Sequence, residues 1–178
     1  MNIKKIFFVV MIPLTLTTCS HYLPLNYTNY KGSDAATLYV LNRAGNVGTI
    51  YLGSYKFNKK AACYNMVDRY ELDSNIFPSK GNVIVSKVKP GIQYSVSQIK
   101  NEGSSRQGGL LIAHVYNNNT SIITEAGKYY YIVPGNHAVE VSPDFVPTPW
   151  ISWDRIKSQY KDTSVKSWDD KKICTTWW

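Results

Sequence analysis

The sequence predicts a mainly β fold, an antiparallel β-sandwich of about eight strands with a short C-terminal helix and tail. Three observations carry this reading. Short runs rich in Val, Ile, Thr, Tyr and Phe alternate apolar with polar residues. Clusters of Gly, Pro and Asn separate many of these runs at roughly the 8–12-residue spacing of sandwiches and barrels. Tyrosine, which favours strands, is the commonest aromatic at 14 copies, and charged residues make up only 18% of the chain.

Taken in order, residues 36–41 alternate and set Ala36, Leu38 and Val40 on one face. Gly45-Asn46 interrupts them. Residues 47–57 are rich in Val, Ile, Tyr and Phe, with Gly48 and Gly53 as bulge or close-approach points. Asn58, Lys59 and Lys60 make a polar turn, and residues 61–72 fit either a short helix or a strand. Residues 82–88 read as a strand, Pro90-Gly91 as a turn, and residues 94–99 as the returning strand of a hairpin. Residues 101–109 hold three Gly and two Ser and predict a flexible loop. Residues 110–116 form the next strand and Asn117-Asn118-Asn119 a turn. Residues 121–125 and 128–133, joined by Ala126-Gly127, read as another hairpin, and residues 137–141 as a last strand. Beyond Pro143 the character changes. Pro147 and Pro149 stiffen a link, and Trp150, Trp153 and Ile156 fall near helical spacing, so residues 152–160 predict one short helix. The Trp-rich end either docks on the domain or presents an adhesive surface.

The N-terminus differs in composition. Lys4 and Lys5 precede an apolar run over residues 6–16, and small residues follow before Cys19. That order marks a secretory signal. The run is about half the roughly 20 residues a membrane-spanning helix needs. No Ala precedes Ala35, so an ordinary Ala-x-Ala cleavage site is absent there. Leu16-Thr17-Thr18-Cys19 resembles the lipobox of bacterial lipoproteins, departing at Thr18, where Gly, Ala or Ser is usual. The resemblance implies lipid attachment at Cys19. Several acyl chains on that sulfur and amine would hold a membrane where one chain holds only marginally. Ser20, rather than Asp, implies by the same resemblance an outer-membrane destination facing the periplasm.

The expected organisation is a signal peptide over 1–18, a tether over 19–34, a β-sandwich domain over 35–142, and a Pro/Trp-rich extension over 143–178 packed on the domain. The net charge is +8, with Lys4 and Lys5 in the signal segment. The remaining basic residues are scattered, which argues against a nucleic-acid arm and for a solvated basic surface facing anionic envelope material. With Cys19 lipidated, Cys63 and Cys174 remain as a pair suited to a disulfide in an oxidising compartment; two free thiols are the alternative.

Three segments resemble a family of small uncharacterised bacterial lipoproteins with a β-sandwich domain. They are Ala36-Thr37-Leu38-Tyr39-Val40-Leu41, residues 83–96 with their Val88-Lys89-Pro90-Gly91, and Thr124-Glu125-Ala126-Gly127-Lys128-Tyr129-Tyr130, in that order. The resemblance covers roughly residues 36–141. It implies a fold and an envelope location, and no reaction.

No G-x-S-x-G, H-E-x-x-H, P-loop, G-x-G-x-x-G or C-x-x-C occurs. His21, His114 and His137 are far apart; His114 shares a strand face with Leu110, Ile112 and Tyr116 and reads as partly buried. A metal site from His114, His137 and Glu125 is the minor alternative. Asp169-Asp170 beside Lys171-Lys172 reads as a solvated turn. The expectation is a non-enzymatic binding or structural module of the cell envelope. It would be held to the membrane by its lipid, with an envelope protein partner, no cofactor and no nucleic acid. The alternatives are an inhibitor or immunity protein that uses 101–109 as a plug, and an envelope hydrolase.

Overall fold

The computed structural model describes residues 25–107, 110–136, 138–160 and 165–174, and for residues 100–116 it describes the backbone alone. Nine strands are present among them: β1 (Leu25–Asn26), β2 (Ala36–Asn42), β3 (Gly48–Asn58), β4 (Cys63–Asn75), β5 (Asn82–Val88), β6 (Gln93–Gln107), β7 (Leu110–Ile123), β8 (Tyr129–Ile132) and β9 (Ala138–Val141). They form a five-stranded sheet ordered β1-β4-β3-β6-β7 and a four-stranded sheet ordered β5-β2-β8-β9. One helix, α1 (Trp153–Gln159), follows. The fold is therefore the mainly β sandwich that alternation and punctuation predict. Most neighbours are antiparallel, with β1–β4 and β2–β8 parallel.

The period-2 pattern explains the packing. Ala36, Leu38 and Val40 of β2 are fully buried and meet Ile50 and Leu52 of β3, Val96 of β6 and Ile122 of β7 across the sandwich. Each buried Leu, Ile or Val side chain among them stabilises the fold by roughly 1.5–3 kcal/mol relative to exposure. Most of the alternate residues of the four-stranded sheet are also covered. Leu41, Tyr131, Val133, Val139 and Val141 form a second cluster closed by Ile156 of α1.

A seven-residue helix is too short to persist alone. Here Ser152 caps it, accepting a hydrogen bond from the Arg155 N–H at 3.3 Å, and Ile156 is buried to 0% exposure. Phe145 packs its ring against Tyr39, Tyr131 and Tyr160 in the same layer.

The chain then reaches the other sheet. The Ile123 N–H donates to the Lys166 carbonyl, and the Ser121 hydroxyl donates to the Trp168 carbonyl. Trp168 is buried, donates Nε1–H to the Tyr94 carbonyl at 2.7 Å, and packs on the rings of Tyr55 and Tyr64, each centroid 4.7 Å away. Asp169 caps a short 3-10 turn over Asp170–Lys172. The Cys174 N–H donates to the Tyr64 carbonyl, and Cys174 is disulfide-bonded to Cys63. The extension thus serves both sheets, α1 covering one and residues 165–174 strapping the other.

Several local expectations are corrected. Residues 101–107 belong to β6 rather than to a loop, because they pair with β7 in register across a shift between Asn101 and Ser104. Cross-strand hydrogen bonding outweighs the weak strand preference of Gly and Ser. The plug expected at 101–109 is therefore strand as far as Gln107, and 108–109 lie outside the described residues. Beyond Ile99 the partner of β3 ends, so the β6–β7 ribbon continues as a two-stranded arm. The Asn117-Asn118-Asn119 turn is likewise continuous with β7. Residues 61–72 resolve to a turn and then β4.

Neither expected hairpin is one. Pro90-Gly91 links β5 in one sheet to β6 in the other, and Ala126-Gly127 links β7 to β8 in the same way. Gly91 and Gly127 supply the required positive φ, 77° and 69°. Turn chemistry specifies a chain reversal; which strand it delivers to is set by the apolar face that must be covered.

Residues 25–30, expected within the tether, lie against the sandwich. β1 pairs with β4, Tyr27 packs edge-on to Tyr70 at 5.3 Å and donates its hydroxyl to the Lys87 carbonyl, and the Lys87 N–H donates to the Asn29 side chain at 2.7 Å.

Candidate functional site

The most chemically featured concavity is a groove of about 580 Å³ with five tyrosines among its lining residues. Tyr27 and Tyr30 come from the segment after β1, Tyr55 from β3, Asp68 and Tyr70 from β4, Lys89 and Ile92 from the β5–β6 connection, and Tyr94 from β6. Ser54 stands opposite both Asp68 and Tyr94 in the sheet, and its hydroxyl donates to the Asp68 carboxylate at 3.5 Å.

Local sequence explains the walls. A register shift between Ser54 and Tyr55 breaks the strict alternation of β3, and the consecutive residues Ser54, Tyr55 and Lys56 all reach one groove. Gly53 is a close-approach point, as its place in the strand predicts. A methyl group there would sit 2.8 Å from the Tyr55 ring. Gly32 does the same for Tyr30, whose ring occupies the space a side chain at 32 would take. Tyr55 has one ring contact with Trp168 of the strap, so the groove wall is braced from behind.

Burial disfavours the charged phenolate of these tyrosines. It pushes Tyr27 up to about 12, with Tyr70 adding to the shift. It also raises Tyr55, Tyr94 and, together with Asp68, Tyr70. Their hydroxyls therefore stay protonated at neutral pH. The groove's described lining offers flat rings, one carboxylate and the amines of Lys56 and Lys89. A second cavity of about 370 Å³, lined by Asn119, Thr120, Gly135, Asn136 and neighbours, has Asp170 as its one titratable lining residue among the described residues.

Of the site residues expected from sequence, Cys63 and Cys174 are joined, with Cα atoms 5.1 Å apart and a sequence separation of 111. Cys19, His21 and His137 lie outside the described residues, and for His114 the backbone position in β7 is described. Glu125, considered as a metal ligand, is ion-paired with Lys128 at 2.7 Å and with Lys166 of the strap, while Lys128 also reaches Glu140 at 2.9 Å. These lysines hold the Glu125 carboxyl down at about 2. Among the described residues no cluster of three or more His, Cys, Asp or Glu is placed to hold a metal, and no helix is long and apolar enough to cross a membrane. Lys172 pairs with Asp169 at 3.4 Å, so the acidic-basic run expected as a turn is a capped, charge-paired one.

The groove was not legible beforehand. Its tyrosines span positions 27 to 94, and the only available signal was their abundance. Scans of protein-family models, curated proteins and solved structures return no match to this chain.

Proposed function

We propose that the protein is a lipid-anchored binding module of the bacterial cell envelope, attached through Cys19 and acting by recognition rather than catalysis. The observation that supports this best is the Cys63–Cys174 disulfide. A bridge of this kind persists in oxidising compartments outside the cytosol. It also accounts for two of the three cysteines, leaving Cys19 at the end of the signal-like segment as the odd thiol. The groove supports recognition, because its tyrosines are held neutral and their rings dominate its walls. The lipobox-like Leu16-Thr17-Thr18-Cys19 and the three family-like segments agree with an envelope lipoprotein.

Fractionation of cells expressing the full chain tests the anchor. The wild-type chain is expected in the membrane fraction with acyl mass on Cys19, and Cys19→Ser in the soluble fraction. A Cys19→Ser protein that stays membrane-bound, or a wild-type chain with an unmodified Cys19 sulfur, refutes it.

A further inference from the structure

We infer that the tyrosine-walled groove binds a glycopeptide, a glycan strand carrying a short peptide with free carboxylates and an amine. The inference rests on the envelope reading above and names the ligand class of that site. Three features of the groove select this chemistry.

The first is its walls. Tyrosine rings offer apolar faces for the C–H faces of sugar rings, together with hydroxyl groups for their polar edges. The exposed lining is mostly apolar ring and aliphatic surface, and the volume of about 580 Å³ lies within the range of roughly 300–1,000 Å³ typical of small-ligand sites.

The second is charge of both signs. Lys56 and Lys89 are exposed at the groove, and neither is ion-paired among the described residues. They complement carboxylates. Asp68, partly buried and hydrogen-bonded by Ser54, complements an ammonium group. A neutral glycan would leave all three charges without a partner. A purely acidic polysaccharide would leave Asp68 opposed.

The third is preorganisation. The Tyr27 hydroxyl is bonded to the Lys87 carbonyl, Tyr94 is buried, and Tyr55 is backed by Trp168. Little freedom of these three rings remains to be lost on binding, and loss of such freedom is a principal cost of recognition.

The test uses the full chain in detergent micelles and isothermal titration with three probes: a soluble disaccharide tetrapeptide containing a diamino acid, a neutral chito-tetrasaccharide, and an oligogalacturonate. The expected result is saturable binding of the disaccharide tetrapeptide that exceeds binding of the other two by about tenfold or more. The double charge reversal Lys56→Glu/Lys89→Glu should weaken it by about tenfold, the combined effect of two solvent-exposed ion pairs lost and reversed. Tyr30→Ala, at the groove edge, should weaken it several-fold with an unchanged thermal midpoint. Absence of saturable binding overturns the inference. So does equal affinity for the neutral or the uronic probe, or unchanged affinity in a folded charge-reversal variant. The anchor is scored separately. A lipidated chain that ignores the glycopeptide removes the ligand assignment alone, and an unlipidated chain that binds it removes the anchor alone.

Discussion

Removing the covalent staple is the most informative perturbation. The variant is Cys63→Ala/Cys174→Ala. The bridge closes a loop across a sequence separation of 111. Confining the denatured chain in a loop of that length is worth about 4–5 kcal/mol by chain entropy. The native state should survive the loss. Trp168 remains buried and bonded to the Tyr94 carbonyl, the Ile123–Lys166 backbone bond remains, and Lys166 still pairs with Glu125. For a chain of this size about 2–4 °C of midpoint accompanies each kcal/mol, so the thermal midpoint should fall by roughly 8–20 °C. Calorimetry of the oxidised protein beside the variant measures the difference, and the near-ultraviolet circular dichroism at 20 °C reports whether packing is kept. A midpoint shift below about 2 °C would refute the claim that the staple confines the denatured chain. Loss of the near-ultraviolet signal at 20 °C would refute the claim that the strap is held without it.

Three further outcomes follow from single side chains. Trp168→Ala empties a buried site shared by Tyr55 and Tyr64 and deletes the bond to Tyr94. It should cost about 3–5 kcal/mol in denaturant titration, with faster proteolysis near residues 165–174. The Tyr131 hydroxyl is buried without a hydrogen-bond partner among the described residues, so Tyr131→Phe should leave stability unchanged or raise it by about 1 kcal/mol; a clear loss would reveal a partner. Glu125 is held down at about 2, from an ordinary value near 4.5, by hydrogen bonds from Lys128 and then Lys166. A depressed carboxyl contributes stability that is complete above its unfolded pKa and lost as pH falls through the folded one. The thermal midpoint should therefore decline between about pH 4.5 and 2, and Glu125→Gln should flatten that decline; an unchanged acid profile in the variant counts against the pairing.

Legibility in the sequence follows the range of the interaction. Ala36, Leu38 and Val40 announce their shared face because alternation is a property of one strand, and all three are buried. Trp150, Trp153 and Ile156 announce a short helix for the same reason, since their spacing is local. Counting leaves Cys63 and Cys174 as a disulfide pair or two free thiols, and the structure joins them. Residues 101–107 misled because Gly and Ser read as loop, while the bonds that make them strand come from β7. Pro90-Gly91 and Ala126-Gly127 misled because a reversal looks the same whether the next strand is a hydrogen-bonded neighbour or lies across the core. The groove was invisible because Tyr27, Tyr55, Tyr70 and Tyr94 are gathered from four segments that share no local signal.

The amino-acid order by itself determined the β class, the faces of the central strands, the helix after Ser152 and the cysteine arithmetic, since each depends on neighbours a few residues apart or on composition. Tertiary structure alone decided which strand lies beside which, that the C-terminal extension wraps both sheets, and where the tyrosines converge. The physical reason is that burial is non-directional: an apolar face must be covered, and which distant segment covers it is settled only when the whole chain competes for the place.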